Sequence, residues 1–172
     1  MTIVIDDAGY GDLLFGVVIA AYRPETHEFI YDAIDVKYFQ RPLYPHRKYL
    51  AEARRIALLL VDRLGLADEE ILEVCRGDIL NEAAAALVER FGEARVRRVK
   101  VEGEAQRLTE LAYLNEIRNL GYEPIEDRTE RWAKSFFHML RWLKAHPEMV
   151  TWAKSGWPRL KRYKFFRDRR PS

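Results

Sequence analysis

Acidic side chains stand at the ends of three predicted strands. Asp6 and Asp7 end the first strand, Asp78 follows the fourth, and Glu102 and Glu104 follow the fifth. If the first and fourth strands are neighbours in a sheet, these carboxylates converge at one edge, where they repel one another unless a hard divalent cation lies among them. Two Mg²⁺ or Mn²⁺ ions about 4 Å apart can bind both the attacking water and the leaving oxygen of a phosphodiester. The pattern therefore predicts two metal ions and a phosphate substrate.

The elements that position these acids begin with three strands. Ile3 to Asp6 alternates as a short strand, and the apolar run 13–22 predicts a central strand buried on both faces. A turn at Pro24 leads to a third strand over 28–39, paired antiparallel to the second. The opening of the chain is therefore predicted to be an antiparallel meander.

Helices and strands alternate after this meander. The predicted order is a helix ending at Gly65, a strand over 71–75, a helix over 83–91, a strand over 96–101 and a helix ending at Gly121. Beyond Pro124 the pattern is helical. This order predicts an α/β fold with a mixed sheet covered by helices.

Length and composition describe one globular domain, or two at most. The chain has 172 residues, and its single cysteine, Cys75, excludes a framework of internal disulfides. The longest apolar-rich stretch, 13–22, has ten residues, whereas a membrane-spanning helix needs roughly 20. Met1 leads into a strand without a signal peptide pattern. We therefore expect a cytoplasmic protein with no membrane partner.

The net charge of +2 conceals a division along the chain. Residues 131–172 hold twelve Lys and Arg and two acids, a net charge of +10, whereas residues 1–130 hold 17 basic and 25 acidic residues, a net charge of −8. All four tryptophans lie in the basic part. Such asymmetry predicts an acidic body joined to a segment that binds a polyanion, here nucleic acid.

We accordingly predict a catalytic domain at 1–124, a helical segment packed on it at 125–158, and a basic tail at 159–172. Basic groups would neutralise phosphates, and aromatic rings would stack on bases at about 1–3 kcal/mol per base. The predicted nucleic-acid contacts of the tail are Arg159, Lys161, Arg162, Tyr163, Lys164, Phe165, Arg167, Arg169 and Arg170. A helical cover with a solvated basic face is the alternative for the C-terminal part.

Two segments resemble type 2 ribonucleases H (ribonuclease HII). The sequence Asp-Asp-Ala-Gly-Tyr-Gly at 6–11, followed by the apolar run 13–21, resembles the Asp-Glu-Ala-Gly-Arg-Gly turn between that family's first two strands. Glu-Gly-Glu-Ala at 102–105 resembles its Gly-Asp-Ala segment, which carries a late metal ligand. The resemblance implies a ribonuclease H-like fold.

The resemblance also implies roles for the acids. Asp6 would bridge both metals, Asp7 and Asp78 would each bind one or support a ligand, and Glu104 would complete the second site. The family has Glu at the position of Asp7, which has a shorter reach. It has Arg at the position of Tyr10, where that arginine reads the 2′-hydroxyl at an RNA–DNA junction. Tyr10 is therefore predicted to contact nucleic acid in another way.

Each acid also has a purely structural interpretation. An Asp-Asp pair before Ala-Gly can cap a turn, and Asp78 can cap the following helix, although Asn81 competes for that position. Glu104 can be a first-turn acid favoured by the helix dipole, and Glu102 is a rival for its ligand role.

Glu52 on the first helix is a reserve candidate, because type 1 enzymes of the fold place an acid there. Its neighbours equally suit a solvated face with ion pairs.

The predicted function is a metal-dependent nuclease that hydrolyses phosphodiester bonds of an RNA/DNA hybrid or of structured DNA. One alternative is a structure-specific endonuclease similar to Holliday-junction resolvases, which would act as a symmetric homodimer. The other is a catalytically silent nucleic-acid-binding protein of the same fold.

Overall fold

A five-stranded mixed sheet forms the centre of the structure, a computed structural model that describes residues 1–125 and 132–169. The strands are β1 (Thr2–Ala8), β2 (Val17–Arg23), β3 (Glu28–Ile34), β4 (Ile71–Cys75) and β5 (Val96–Val99). Their order across the sheet is β3-β2-β1-β4-β5. β2 runs antiparallel to β1 and β3, whereas β1, β4 and β5 are parallel. The predicted meander and the pairing of the first and fourth strands are confirmed.

Helices cover both faces of this sheet. One face packs on α1 (Lys48–Leu64) and α2 (Asn81–Phe91). The other packs on α3 (Glu104–Asn119), α4 (Trp132–Ala145) and a C-terminal segment with two 3₁₀ helices and the short α5 (Lys164–Arg167). The predicted α/β class is therefore confirmed. Within the described ranges, no helix is both long enough and apolar enough to cross a lipid bilayer.

β2 begins four residues later than the apolar run predicts. A Cβ at Gly16 would lie 1.6 Å from the carbonyl oxygen of Ile34, so only glycine fits between the chains there. Leu13 and Leu14 are fully buried, but against the C-terminal segment rather than as a continuation of the strand. The apolar run therefore encodes burial along its whole length and strand geometry along only part of it.

β3 ends at Ile34, five residues before the predicted end. The carboxylate of Asp35 accepts a hydrogen bond from the backbone N–H of Lys37 at 2.8 Å and caps a 3₁₀ turn over Val36–Phe39. A short polar side chain that captures a nearby backbone donor in this way competes with the strand ladder.

The connection from β5 to α3 determines where α3 lies along the sheet. Val101 leaves the sheet edge and packs with Val4, Tyr22 and Ala105. Ala105, in the first turn of α3, therefore lies near the amino half of β1, while Tyr113, two turns later, contacts Gly9 beyond its carboxyl end. α3 thus runs along β1 in the same direction as the strand.

Candidate metal centre and nucleic-acid interface

Asp6 and Asp7 lie at the carboxyl end of β1, the central strand. Successive strand residues point to opposite faces, but here one oxygen of each carboxylate and the Sγ of Cys75 on β4 lie within 4.8 Å of one another. Only 6% of the Asp6 surface is exposed. The parallel pairing of β1 with β4 places Cys75 beside Asp6, because Ile5 is the partner of Val74. The sheet therefore brings one buried and one half-buried acid together.

The environment of these two carboxylates disfavours their negative charges. Burial, reinforced by the charge of Asp6, raises the pKa of Asp7 to about 7. Burial also raises the pKa of Asp6, against the hydrogen bonds that its carboxylate accepts from the Asp7 backbone and the Cys75 thiol. Two carboxylate donors, one buried and one half-buried, whose ionisation is costly are a donor set that fits a hard dication such as Mg²⁺ or Mn²⁺.

Cys75 contributes a hydrogen bond rather than a metal ligand. Burial raises the pKa of its thiol to about 11, so the thiol keeps its proton. A protonated sulfur is a poor ligand for a hard cation, since the thiolate is the form that binds metals. The sequence analysis used Cys75 only to exclude internal disulfides, and its hydrogen bond to Asp6 is a role that the structure adds.

Asp78 lies at the end of β4, next to this pair. The preceding residue, Gly77, packs against Asp7, and a Cβ there would lie 3.1 Å from Oδ1 of Asp7. Asp78 itself is exposed and opens the 3₁₀ turn before α2. The structure thus brings the backbone at Asp78 to the carboxylate pair, while its side chain stands outside the 4.8 Å group.

The other predicted acids form ion pairs with neighbouring Lys and Arg side chains. Glu104 forms a 2.6 Å ion pair with Arg107 and lines a pocket with Val4, Tyr22 and His27, beside the amino half of β1. Glu102 is exposed and pairs with Lys100 at 2.6 Å. The reserve candidate Glu52 pairs with Arg55 at 2.6 Å. The structure does not bring these three acids to Asp6 and Asp7.

A different acid of α3, Glu110, lies near the pair. It is half-buried, and its negative charge contributes to the raised pKa of Asp6. The sequence analysis did not select Glu110, because the motif at 102–105 indicated an acid at the start of α3. Its helical position was informative, since Glu110 lies three residues before Tyr113 and therefore on the same face of α3.

In the predicted basic tail, apolar side chains pack inward and basic side chains lie around them. Leu160 is 2% exposed, and the ring of Tyr163 lies 5.4 Å from that of Phe136. The guanidinium of Arg169 lies 4.0 Å above the ring of Phe165. The other predicted basic contacts are exposed on this surface, namely Arg159, Lys161, Arg162, Lys164 and Arg167. Arg170 lies outside the described residues.

Tyr10 takes part in a group of aromatic rings. Its hydroxyl lies 3.4 Å from that of Tyr49, and its ring is tilted against Phe39 and Tyr49. Tyr10 is half-buried, and with Gly11 it lines a pocket that also includes Tyr44, Trp157 and Arg159. Sequence analysis selected Tyr10 and Arg159 but not Tyr44 or Trp157, because these residues come from distant segments.

Comparison with solved structures finds the same architecture elsewhere. A point mutant of Bst-RNase HIII superposes with a TM-score of 0.58 and 16% identity, over 98% of this chain and 70% of that one. Bst-RNase HIII in complex with Mn²⁺ superposes with a TM-score of 0.53 and 15% identity, over 88% of this chain and 65% of that one. The chain has a ribonuclease H-like fold.

This fold assignment rests on structure alone. No protein-family model and no curated protein matches the sequence. The ribonuclease H-like fold expected from the motif at 6–11 is confirmed by the two RNase HIII structures. At 15–16% identity this likeness establishes the architecture, and the chemistry has to be argued from the residues of this chain.

Proposed function

We propose that this protein is a divalent-metal-dependent nuclease that hydrolyses phosphodiester bonds of nucleic acid. The observation that carries the proposal is the pair of carboxylates, buried Asp6 and half-buried Asp7, with oxygens within 4.8 Å at the carboxyl end of the central strand. The likeness to RNase HIII, one structure of which is a complex with Mn²⁺, supports it.

The residues of the candidate metal centre would have distinct roles. Asp6 and Asp7 would hold the cations, with Asp78 as a further ligand from the end of β4. Two bound divalent cations would supply Lewis-acid activation of water and stabilisation of the leaving 3′-oxygen. Cys75 would keep the Asp6 carboxylate oriented through its thiol hydrogen bond. No side-chain nucleophile is required.

For the remaining acid we propose Glu110 in place of Glu104. Glu110 lies close enough for its charge to act on Asp6, whereas Glu104 is engaged with Arg107 beside the other half of β1. The half-buried carboxylate of Glu110 would complete an acidic cluster made by β1, the end of β4, and α3.

The substrate is proposed to be an RNA/DNA hybrid or structured DNA. A body with a net charge of −8 repels nucleic acid, and the exposed cations of the C-terminal segment would offset this repulsion. Tyr10 stands where the resemblance predicts a junction-reading arginine, so discrimination of an RNA–DNA junction is not proposed.

A second candidate, a silent nucleic-acid-binding protein, is favoured by one observation. Glu104, the acid matched to the family's late ligand, forms an ion pair away from the cluster. A protein that kept the fold and the basic surface while losing a ligand would bind nucleic acid without cutting it.

Cleavage assays separate the candidates. End-labelled hybrid, single-stranded and four-way-junction substrates would be incubated with Mg²⁺, Mn²⁺ or EDTA. The nuclease proposal expects cutting of at least one substrate with a metal and none with EDTA, and loss of cutting in Asp6→Asn. Binding without cutting under every condition would support the silent candidate, and preferential cutting of the junction would favour the resolvase-like alternative.

A further inference from the structure

A pocket of about 510 Å³ opens at the loop that follows the carboxylate pair in the chain. Its walls come from three segments, namely Tyr10 and Gly11 in the β1–β2 loop, Tyr44 before α1, and residues 157–159 in the C-terminal segment. This volume lies within the range of small-molecule sites, about 300–1,000 Å³. Tyr10 follows Asp7 by three residues, so one wall of the pocket belongs to the loop that continues from the proposed metal centre.

Three aromatic side chains line this pocket. Tyr10 and Tyr44 are half-buried, and Trp157 is 6% exposed. Behind them, Tyr49 stacks on Tyr44 with a centroid separation of 5.6 Å and on Phe39 at 5.2 Å. Tyr10 and Tyr44 therefore present ring surface to the pocket on a packed aromatic support, which is what a stacked base requires.

Positive charge lies at the same place. The guanidinium of Arg159 stands 4.3 Å from the ring centroid of Trp157. Burial raises the pKa of Tyr44, and the charges of Arg159 and Arg47 oppose that effect, so both reach this ring. The six lining residues include a guanidinium and no carboxylate. The chemistry suits a group that combines a flat ring with a phosphate.

The pocket walls are held in place by hydrogen bonds to backbone carbonyls. Gly156 donates its N–H to the carbonyl of Phe39 at 2.9 Å, and a Cβ at Gly156 would lie 2.7 Å from that oxygen. The fully buried ammonium of Lys154 donates to the carbonyls of Asp12 at 2.6 Å and Leu14 at 3.1 Å. These contacts tie the C-terminal segment to Phe39 and to the β1–β2 loop, which lowers the cost of ordering the pocket walls on binding.

We propose that this pocket binds one unpaired nucleotide of the substrate strand, with its base against Tyr10 and Tyr44 and its phosphate at Arg159, which stands over the buried Trp157. The inference rests on the proposed nuclease function and specifies its substrate class. A base inside a continuous duplex has both faces covered by its neighbours and cannot enter such a pocket. The preferred substrate would therefore carry an unpaired nucleotide next to the bond that is cut.

Binding measurements in EDTA test this inference without cleavage. Fluorescence anisotropy would compare a labelled duplex with the same duplex carrying a single-nucleotide bulge, and 2-aminopurine at the bulge would report stacking through quenching. We expect the wild-type protein to prefer the bulged duplex and to quench the probe. Tyr44→Leu should weaken binding of the bulged duplex by about 5- to 150-fold, the equivalent of one stacked base, with little effect on the continuous duplex.

Matched variants separate the pocket from general effects. Tyr44→Phe should keep the preference, because the ring is retained, and exposed Arg159→Gln should lose it without disturbing the core. Tyr31→Leu on β3 and Arg63→Gln near the end of α1 remove the same groups away from the pocket and should leave the preference unchanged. Free AMP should compete only weakly.

The outcomes distinguish this inference from the proposed function. An unchanged preference in Tyr44→Leu and Arg159→Gln, in a protein that still cuts nucleic acid, would overturn the pocket assignment alone. A preference that depends on the pocket in a protein that cuts nothing would support the assignment and refute the nuclease. Binding of AMP as tight as that of the bulged duplex would show that the pocket takes a free nucleotide rather than a nucleotide of a strand. Failure to bind any nucleic acid would refute both proposals.

Discussion

The ring of Tyr113 on α3 occupies the space into which a side chain at Gly9 would project. A Cβ at Gly9 would lie 2.2 Å from the Cε2 atom of Tyr113, and the Tyr113 hydroxyl donates to the carbonyl of Leu14 at 3.1 Å. This contact fixes α3 against the end of β1. It thereby holds Glu110 on the same face near Asp6.

Gly9→Ala should destabilise the protein by more than its backbone conformation alone explains. Gly9 has a φ of +93°, which costs an L-residue about 1–2 kcal/mol, and the clash with Tyr113 adds to this. Gly92→Ala is the matched control, because Gly92 has a φ of +92° with no atom within 4 Å of an added Cβ. Urea denaturation of both variants measures the difference, and equal losses would show that the ring contact is unimportant.

Divalent cations should raise the thermal unfolding midpoint of the wild-type protein. Binding to the folded state alone contributes about 2.7 kcal/mol at a ligand concentration 100 times Kd. Asp6→Asn and Asp7→Asn should abolish the shift with Mn²⁺, whereas Asp68→Asn, in the turn before β4, should keep it. A shift that persists in both site variants would place the metal elsewhere.

Without metal, the protein should lose stability as the pH rises from about 4 to about 7. The pKa of Asp7 is raised from 3.8 to about 7 in the folded state, so the folded protein binds more protons than the unfolded chain within this window. Ionisation of Asp7 therefore favours unfolding. Asp7→Asn should reduce this decline, measured by urea denaturation in EDTA at several pH values. Parallel curves for the two proteins would contradict the raised pKa.

Glu110→Gln should lower metal-dependent cleavage by at least about 10-fold, as the loss of a group that supports or binds the metals does. Glu104→Gln should change it little, because Glu104 pairs with Arg107 beside the amino half of β1. Thermal melts of both variants would check that they fold. The reverse order of effects would restore the ligand that the motif at 102–105 predicts.

Neutralising the exposed C-terminal cations should flatten the salt dependence of nucleic-acid binding. Substitution by glutamine of Lys161, Lys164 and Arg167 suits this test better than truncation, because removing Leu160 would open the core. The slope of log Kobs against log salt should decrease by about 0.9 for each duplex phosphate that is no longer neutralised by the protein. An unchanged slope in the triple variant would assign phosphate binding to other residues.

The sequence by itself determined the order of strands and helices and the position of Asp6 and Asp7 at the end of β1. These features follow from local periodicity, which records the face on which each residue lies. The same local information could not determine where α3 begins along β1, and so it could not show that Glu110 lies near Asp6 while Glu104 pairs with Arg107.

Only the tertiary structure decided which distant groups meet. Tyr10, Tyr44 and Trp157 line one pocket, and Lys154 lies fully buried although its charge suggests solvent exposure. Contacts between distant residues depend on the position and orientation of whole helices and strands relative to one another. That arrangement is set by the sum of many packing interactions. A periodic pattern within one segment does not contain these packing interactions between segments. The folded chain does, and they determine the site between β1, α3 and the C-terminal segment.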